Sequence, residues 1–186
     1  MGLRIWPHAW GLLPLPLLLA ACTSYSQQVG EPAPATPPQV IAVGRIDAGG
    51  TEWERAALQF ERSLVTALRD SNAFPTVRSS VPKTLPADGL IVEGKILDAD
   101  GGSDFYQMLL GEWLAGPAAK VEIRVRGADD RTLLGFTDGV LISEHSVDPR
   151  ASDPTELKHL IDELAADAAN AIIRWSKGQP VNDSLF

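Results

Sequence analysis

The chain has 186 residues, 45% of them hydrophobic and 22% charged, with a net charge of −8. That length and apolar content suit one globular domain of ordinary size with a core of its own. The acidic balance, with no cluster of Lys and Arg, argues against a nucleic-acid-binding surface and against an electrostatic hold on anionic lipid.

The first feature along the chain is an apolar run, Leu12 to Ala21, ending in small residues. A membrane span needs about 20 apolar residues. This run is shorter and is interrupted by Pro14 and Pro16, so residues 1–21 read as a secretory signal peptide. Only Arg4 and His8 supply basic character before it. Cys22, the single cysteine, follows directly, and Leu19-Ala20-Ala21-Cys22 resembles the lipobox of bacterial lipoproteins. That resemblance implies a diacylglyceryl group on the Cys22 thiol, cleavage just before it, and acylation of the new amino terminus with a fatty acid such as palmitate. Such an anchor exceeds the two-signal requirement for stable membrane attachment. The residues after the cysteine are Thr23 and Ser24, with no aspartate to signal inner-membrane retention. The resemblance therefore implies the outer membrane, facing the periplasm, and leaves inner-membrane anchoring open. Loss of residues 1–21 removes Arg4 and no acid, shifting the balance from −8 to −9. With its only thiol acylated, the mature chain has no disulfide to lean on.

Residues 22–38 contain Gln27, Gln28, Gly30 and four prolines, Pro32, Pro34, Pro37 and Pro38. This composition predicts a lipidated tether. In a polyproline-like form, at about 3.1 Å per residue, it would reach roughly 50 Å. The folded domain is expected over residues 39–178, with a flexible tail at 179–186.

Gln39 to Ile46 reads as a first strand rich in β-branched residues. After Gly49 and Gly50, Thr51 and Glu54 form a capping-box pattern. Trp53, Ala57, Phe60, Leu64 and Leu68 then recur at helical steps, predicting an amphipathic helix that ends near Ser71 and Asn72. Pro75 to Ser80 is a candidate edge strand. Gly89 to Leu97 and Lys120 to Arg126 alternate as strands; in the second, Val121, Ile123 and Val125 oppose Lys120, Glu122, Arg124 and Arg126. A turn at Gly127 to Asp130 leads into a last strand, Thr132 to Ser143. Asp153 as N-cap, Pro154 and Glu156 open a second helix. Its stripe comprises Leu157, Leu160, Ile161, Leu164, Ala168, Ala171, Ile172 and Trp175, and Gly178 stops it. The expected fold is α+β: two helices packed on one face of a mainly antiparallel four- or five-stranded sheet.

The element order, with Val92-Glu93-Gly94-Lys95-Ile96, then Gly111 and Ala115-Gly116-Pro117-Ala118-Ala119, then Val121-Glu122-Ile123-Arg124-Val125, resembles a family of bacterial lipoproteins of unknown function (DUF4410-like). It covers roughly residues 39–177, and its motifs describe a fold and not a site. A more distant similarity is to the periplasmic domain of the curli-secretion lipoprotein family and to the amino-terminal domain of the Tol translocation protein. These imply roles in envelope assembly or transport, which fold analogy alone does not transfer.

Candidate sites are few. Phe105, Tyr106, Met108, Leu109, Leu110, Trp113 and Leu114 crowd apolar side chains between two strands. They form a candidate interface for a partner or the membrane, or a short core helix covering one end of the sheet. Glu144, His145 and Asp148 lie close together in a loop, without paired-ligand spacing. They read as solvated surface, as does His159 on the second helix. Asp98, Asp100 and Asp104 around Gly101 and Gly102 lack EF-hand spacing, with Leu109 where the twelfth-position Glu would stand. There is no G-x-S-x-G elbow, P-loop or dinucleotide fingerprint. The mixed-sign sheet face, Glu93, Lys95, Lys120, Glu122, Arg124 and Arg126, predicts cross-strand pairs or a platform for a polar ligand. The expectation is a non-enzymatic accessory or assembly component of a cell-envelope complex, anchored through Cys22 and partnered by an envelope protein. It would use no cofactor, no metal and no nucleic acid. The alternative is a periplasmic ligand- or glycan-binding module.

Overall fold

The computed structural model describes residues 26–100, 118–141 and 154–181. In chain order these form β1 (Ser26–Gly30), β2 (Val40–Asp47), a 3-10 turn (Thr51–Trp53), α1 (Glu54–Asp70), β3 (Thr76–Arg78), β4 (Leu90–Asp100), β5 (Ala118–Gly127), β6 (Thr132–Leu141) and α2 (Pro154–Ser176). The strands make one sheet in the order β1-β6-β5-β4-β2-β3. β4, β5, β6 and β1 pair antiparallel, while β2 is parallel to both β3 and β4. The α+β expectation holds, with a mixed sheet in which antiparallel ladders predominate. Parallel neighbours require a crossover connection, which α1 supplies between β2 and β3.

Alternation decides which side chains enter the core. Ile41, Val43, Leu90, Val92, Val121, Ile123, Val125, Leu134 and Phe136 are buried on the face that both helices cover. From α1 come Ala56, Ala57, Phe60, Leu64, Val65 and Leu68, at the three- and four-residue steps of one helical face. From α2 come Leu160, Ile161, Leu164 and Ile172, interleaved with the buried alanines 165, 168, 169 and 171. At Gly94 the neighbouring strands leave no room for a side chain. A Cβ there would lie 2.8 Å from Ile123 Cδ1, 2.9 Å from the Glu122 carbonyl oxygen and 3.2 Å from Ile46 Cδ1. Glycine at this position lets two isoleucines from the neighbouring strands meet across the sheet.

Three expectations are corrected. The Thr51–Glu54 capping box does not form: α1 follows the 3-10 turn, its N-cap is Trp53, and no side chain caps it. The stretch read as a free tether is partly structural. Ser26–Gly30 is the sheet's sixth strand, the Glu31 amide donates to the Leu133 carbonyl at 2.8 Å, and Trp175 Nε1 donates to the Glu31 carbonyl at 3.0 Å. Pro38 is buried. Residues 177–181, the described part of the chain after α2, also dock. Gly178 (φ +69°) closes the helix, with Gly178 N–H donating to Trp175 O and Gln179 N–H to Arg174 O, both at 2.9 Å. Arg174 Nε then donates to the Pro180 carbonyl at 2.9 Å, and Val181 is buried. Asp153 lies outside the described residues.

Candidate functional site

The sheet face turned away from the helices carries the charged ladder expected from β4 and β5. Its register places Glu93 opposite Arg124 and Lys95 opposite Glu122. The ion pairs run otherwise. Arg124 Nη2 pairs along its own strand with Glu122 Oε1 at 2.5 Å, whereas Arg126 reaches diagonally to Glu93 and forward to Asp130. Arg126 is the better buried of the two arginines, and its Nε has no hydrogen-bond partner among the described residues. Lys95 and Lys120 are exposed. The face is therefore a mixed-sign lattice whose arginines are paired with its acids, flanked on β6 by Gly135, Thr137 and Gly139. Exposed pairs of this kind are each worth only about 0–1 kcal/mol, so they leave room for a polar ligand without demanding one.

A second polar feature escaped the sequence reading. Asp138 shares the helix-facing side of β6 with Leu134 and Phe136 and is 1% exposed. Its carboxylate accepts the Gly139 amide at 2.8 Å, its one hydrogen bond among the described residues. Burial, and then the charge of Asp167 on α2, push its pKa up to about 6, against a smaller opposing effect of the Gly139 amide. Asp167 is raised in turn, first by burial and then by Glu163 one helical turn earlier. Parity along β6 was the available signal, because residues two apart share a face. An acid held near neutrality between a strand and a helix is a proton-binding group. Among the described residues it has no nucleophile or base hydrogen-bonded to it.

Between the helices, Asp162 accepts hydrogen bonds from Gln59 Nε2, Ser63 Oγ and Lys158 Nζ, each at 2.6 Å. Burial, the largest single influence, pushes its pKa up, but these donors and the Lys158 charge together outweigh it, and the net shift is downward. The cluster fixes the register of α1 against α2.

The other sequence candidates fall elsewhere. Cys22, Phe105, Tyr106, Met108, Leu109, Leu110, Trp113, Leu114, Asp104, Glu144, His145 and Asp148 lie outside the described residues. Asp100 and Ala118, which flank residues 101–117, pair with one another at one end of the sheet. His159 is exposed. Among the described residues no group of three or more His, Cys, Asp or Glu side chains is placed to hold a metal, and no helix is long and apolar enough to cross a membrane.

No family model matches the chain and no curated protein matches it, so the DUF4410 likeness has no family match behind it. Solved structures do resemble it. The PelC dodecamer from Paraburkholderia phytofirmans superposes with a TM-score of 0.56 at 14% identity, covering 86% of this chain and 99% of that one. A single-residue variant of that dodecamer gives a TM-score of 0.50 at 13% identity, covering 78% and 95%. Protein XCC0632 from Xanthomonas campestris, of the family designated DUF330, gives 0.48 at 14% identity, covering 81% and 92%. At these identities, what this chain has in common with PelC is its fold.

Proposed function

We propose that this chain is a lipid-anchored, non-enzymatic component of a bacterial envelope assembly, held at the outer membrane through Cys22 and working as an oligomer of identical copies. The observation that supports this reading is a combination: Leu19-Ala20-Ala21-Cys22, which resembles a lipobox, ahead of a domain whose fold resembles PelC over 99% of that chain. PelC itself is a dodecamer. The exposed surface of this chain offers polar contacts, in the mixed-sign ladder around Arg124 and Arg126. Such mixed-sign faces favour specific, register-fixing contact between proteins over tight capture of one small molecule.

The test has two parts. Radiolabelled palmitate should enter the wild-type chain and not Cys22→Ser, and the unlipidated variant should accumulate as precursor; unchanged processing would show that the anchor is misread. The lipidated protein, extracted in mild detergent, should then run as a closed oligomer by native mass spectrometry. A monomer across all accessible concentrations would sink the assembly reading while leaving the anchor intact.

A further inference from the structure

We infer that the outer flank of α1 is a docking surface for a second copy of this chain, and that it receives the acidic flank of that copy's α2. The inference rests on the assembly reading above and deepens it by naming the two surfaces that meet.

α1 packs on β2, β3 and β4, and α2 packs on β5 and β6. The helices face one another through Gln59 and Ser63 of α1, which both donate to Asp162 of α2. Arg69 Nη2 instead donates to the Val77 carbonyl of β3, so its side of α1 is turned from α2 towards the β3 edge. Arg55 and Arg62 precede Arg69 at seven-residue steps. Seven residues make nearly two full turns, so the three positions line up along the helix about 10 Å apart. All three side chains are exposed, and none has an ion-pair partner among the described residues. The spacing explains why. The acids of α1, Glu54, Glu61 and Asp70, each stand next in sequence to an arginine, and helical neighbours one apart do not face each other. Within α1, the positions three or four residues from each arginine hold Leu58, Gln59, Val65 and Thr66. Leu58, between Arg55 and Arg62, is 53% exposed, the most of any large apolar side chain among the described residues. An apolar centre rimmed by unpaired arginines has the anatomy of a protein contact.

The opposite flank of the molecule is its electrostatic complement. Asp162 is committed to α1. Glu163 and Asp167 lie about 100° and 140° further round the axis of α2, away from α1. Glu163 is exposed and Asp167 half-buried, and neither has a base within ion-pair distance among the described residues. Burial and then Glu163 raise the pKa of Asp167, as befits a flank short of cations. Ala166, partly exposed between them, presents a short apolar side chain to meet Leu58.

Because the helices lie side by side, these flanks point in opposite directions, and one copy cannot join its own. Two complementary surfaces on opposite sides give a head-to-tail contact, which repeats from copy to copy and closes into a ring where the rotation permits. An anionic bilayer is the poorer occupant. The three acids of α1 cancel its three arginines, leaving no net charge for a uniformly negative surface to attract. A second protein surface can address the arginines alone.

The test uses full-length lipidated protein in mild detergent, with oligomeric state read by native mass spectrometry and sedimentation. Arg62→Glu and Glu163→Arg should each weaken association about a hundredfold and leave the circular dichroism unchanged. Arg55→Glu, on the other side of Leu58, replaces Arg62→Glu should that chain misfold. Each variant keeps one flank intact and spoils the other. An equimolar mixture of the two should therefore reassemble with the variants alternating, and the doubly substituted chain should assemble alone. A wild-type oligomer that neither substitution disturbs would overturn this contact and leave the assembly reading standing. Dissociation without rescue, in the mixture or the double variant, would assign the charges to an anionic lipid or a different protein and overturn it as well. A wild-type chain that is monomeric at every accessible concentration would remove the assembly reading and this contact together.

Discussion

Asp138→Asn replaces a buried, ionisable side chain with a neutral one of the same shape, and its effect should change with pH. In the folded chain the carboxyl is pushed from its ordinary 3.8 to about 6, by burial first and Asp167 second. The folded state thus holds this proton more tightly than the unfolded chain does. The contribution is fully present below pH 3.8 and is lost as pH rises through about 6. The gap converts to about 3 kcal/mol at 1.36 kcal/mol per pH unit. Asparagine avoids that loss, but its amide oxygen accepts the Gly139 N–H less strongly than a carboxylate, which takes back about 1 kcal/mol. Asp138→Asn should therefore stabilise the chain by about 2 kcal/mol at pH 7.5 and be near neutral at pH 4.5. The assay is urea unfolding of residues 22–186 carrying Cys22→Ser, in parent and variant, at both pH values. Comparing the two chains removes the general pH dependence of an acidic protein. A difference between parent and variant that stays constant from pH 4.5 to 7.5 would refute the reasoning, as would destabilisation at pH 7.5.

The Asp162 cluster should behave in the opposite sense. Its folded pKa is lowered, so its contribution is present at neutral pH and lost as pH falls through that value. Gln59→Ala with Ser63→Ala should cost about 2 kcal/mol at pH 7 and visibly less at pH 3; an equal loss at both would count against it. Gly94→Val should lower stability by about 1–3 kcal/mol through overpacking against Ile123, Ile46 and the Glu122 carbonyl, read as a shift in urea midpoint with unchanged slope. Trp175→Phe removes the indole donor to Glu31 and should cost about 1 kcal/mol. The Glu31 amide should then exchange with deuterium faster while the β4–β5 amides keep their protection. Unchanged exchange at Glu31 would show that the indole does not hold the strand.

The elements that the sequence revealed are those whose pattern is local. β5 alternates without a break, and α1 repeats at helical steps, so period alone identified both. β1 escaped because Ser26, Gln27 and Gln28 have no apolar face of their own. What makes them a strand is the free edge of β6 and the Trp175 bond beyond it, both of them distant in sequence. The parallel pairing of β2 with β3 and β4 was equally hidden, since period-two alternation reports burial and not direction. At the candidate site, the charged ladder was visible, but its pairing was not. Cross-strand partners were expected, and Arg126 does reach Glu93 across the strands, but diagonally and not in register. Arg124 pairs with Glu122 on its own strand, and Arg126 also with Asp130 in the turn. Asp138 was legible from parity, because it stands two residues beyond Phe136 on the same strand.

The pairing of Ser26 with Thr137 also sets an order of events. The two partners are about 110 residues apart, and contacts that close so long a loop form late. The hairpin of β5 and β6 closes locally, through a turn of four residues between Gly127 and Thr132. β1 has nothing to dock on until β6 has been delivered, and nothing to lock it until Trp175 has followed. β1 is therefore the last strand to join the sheet, added as an edge onto a β-hairpin and helix that are already in place.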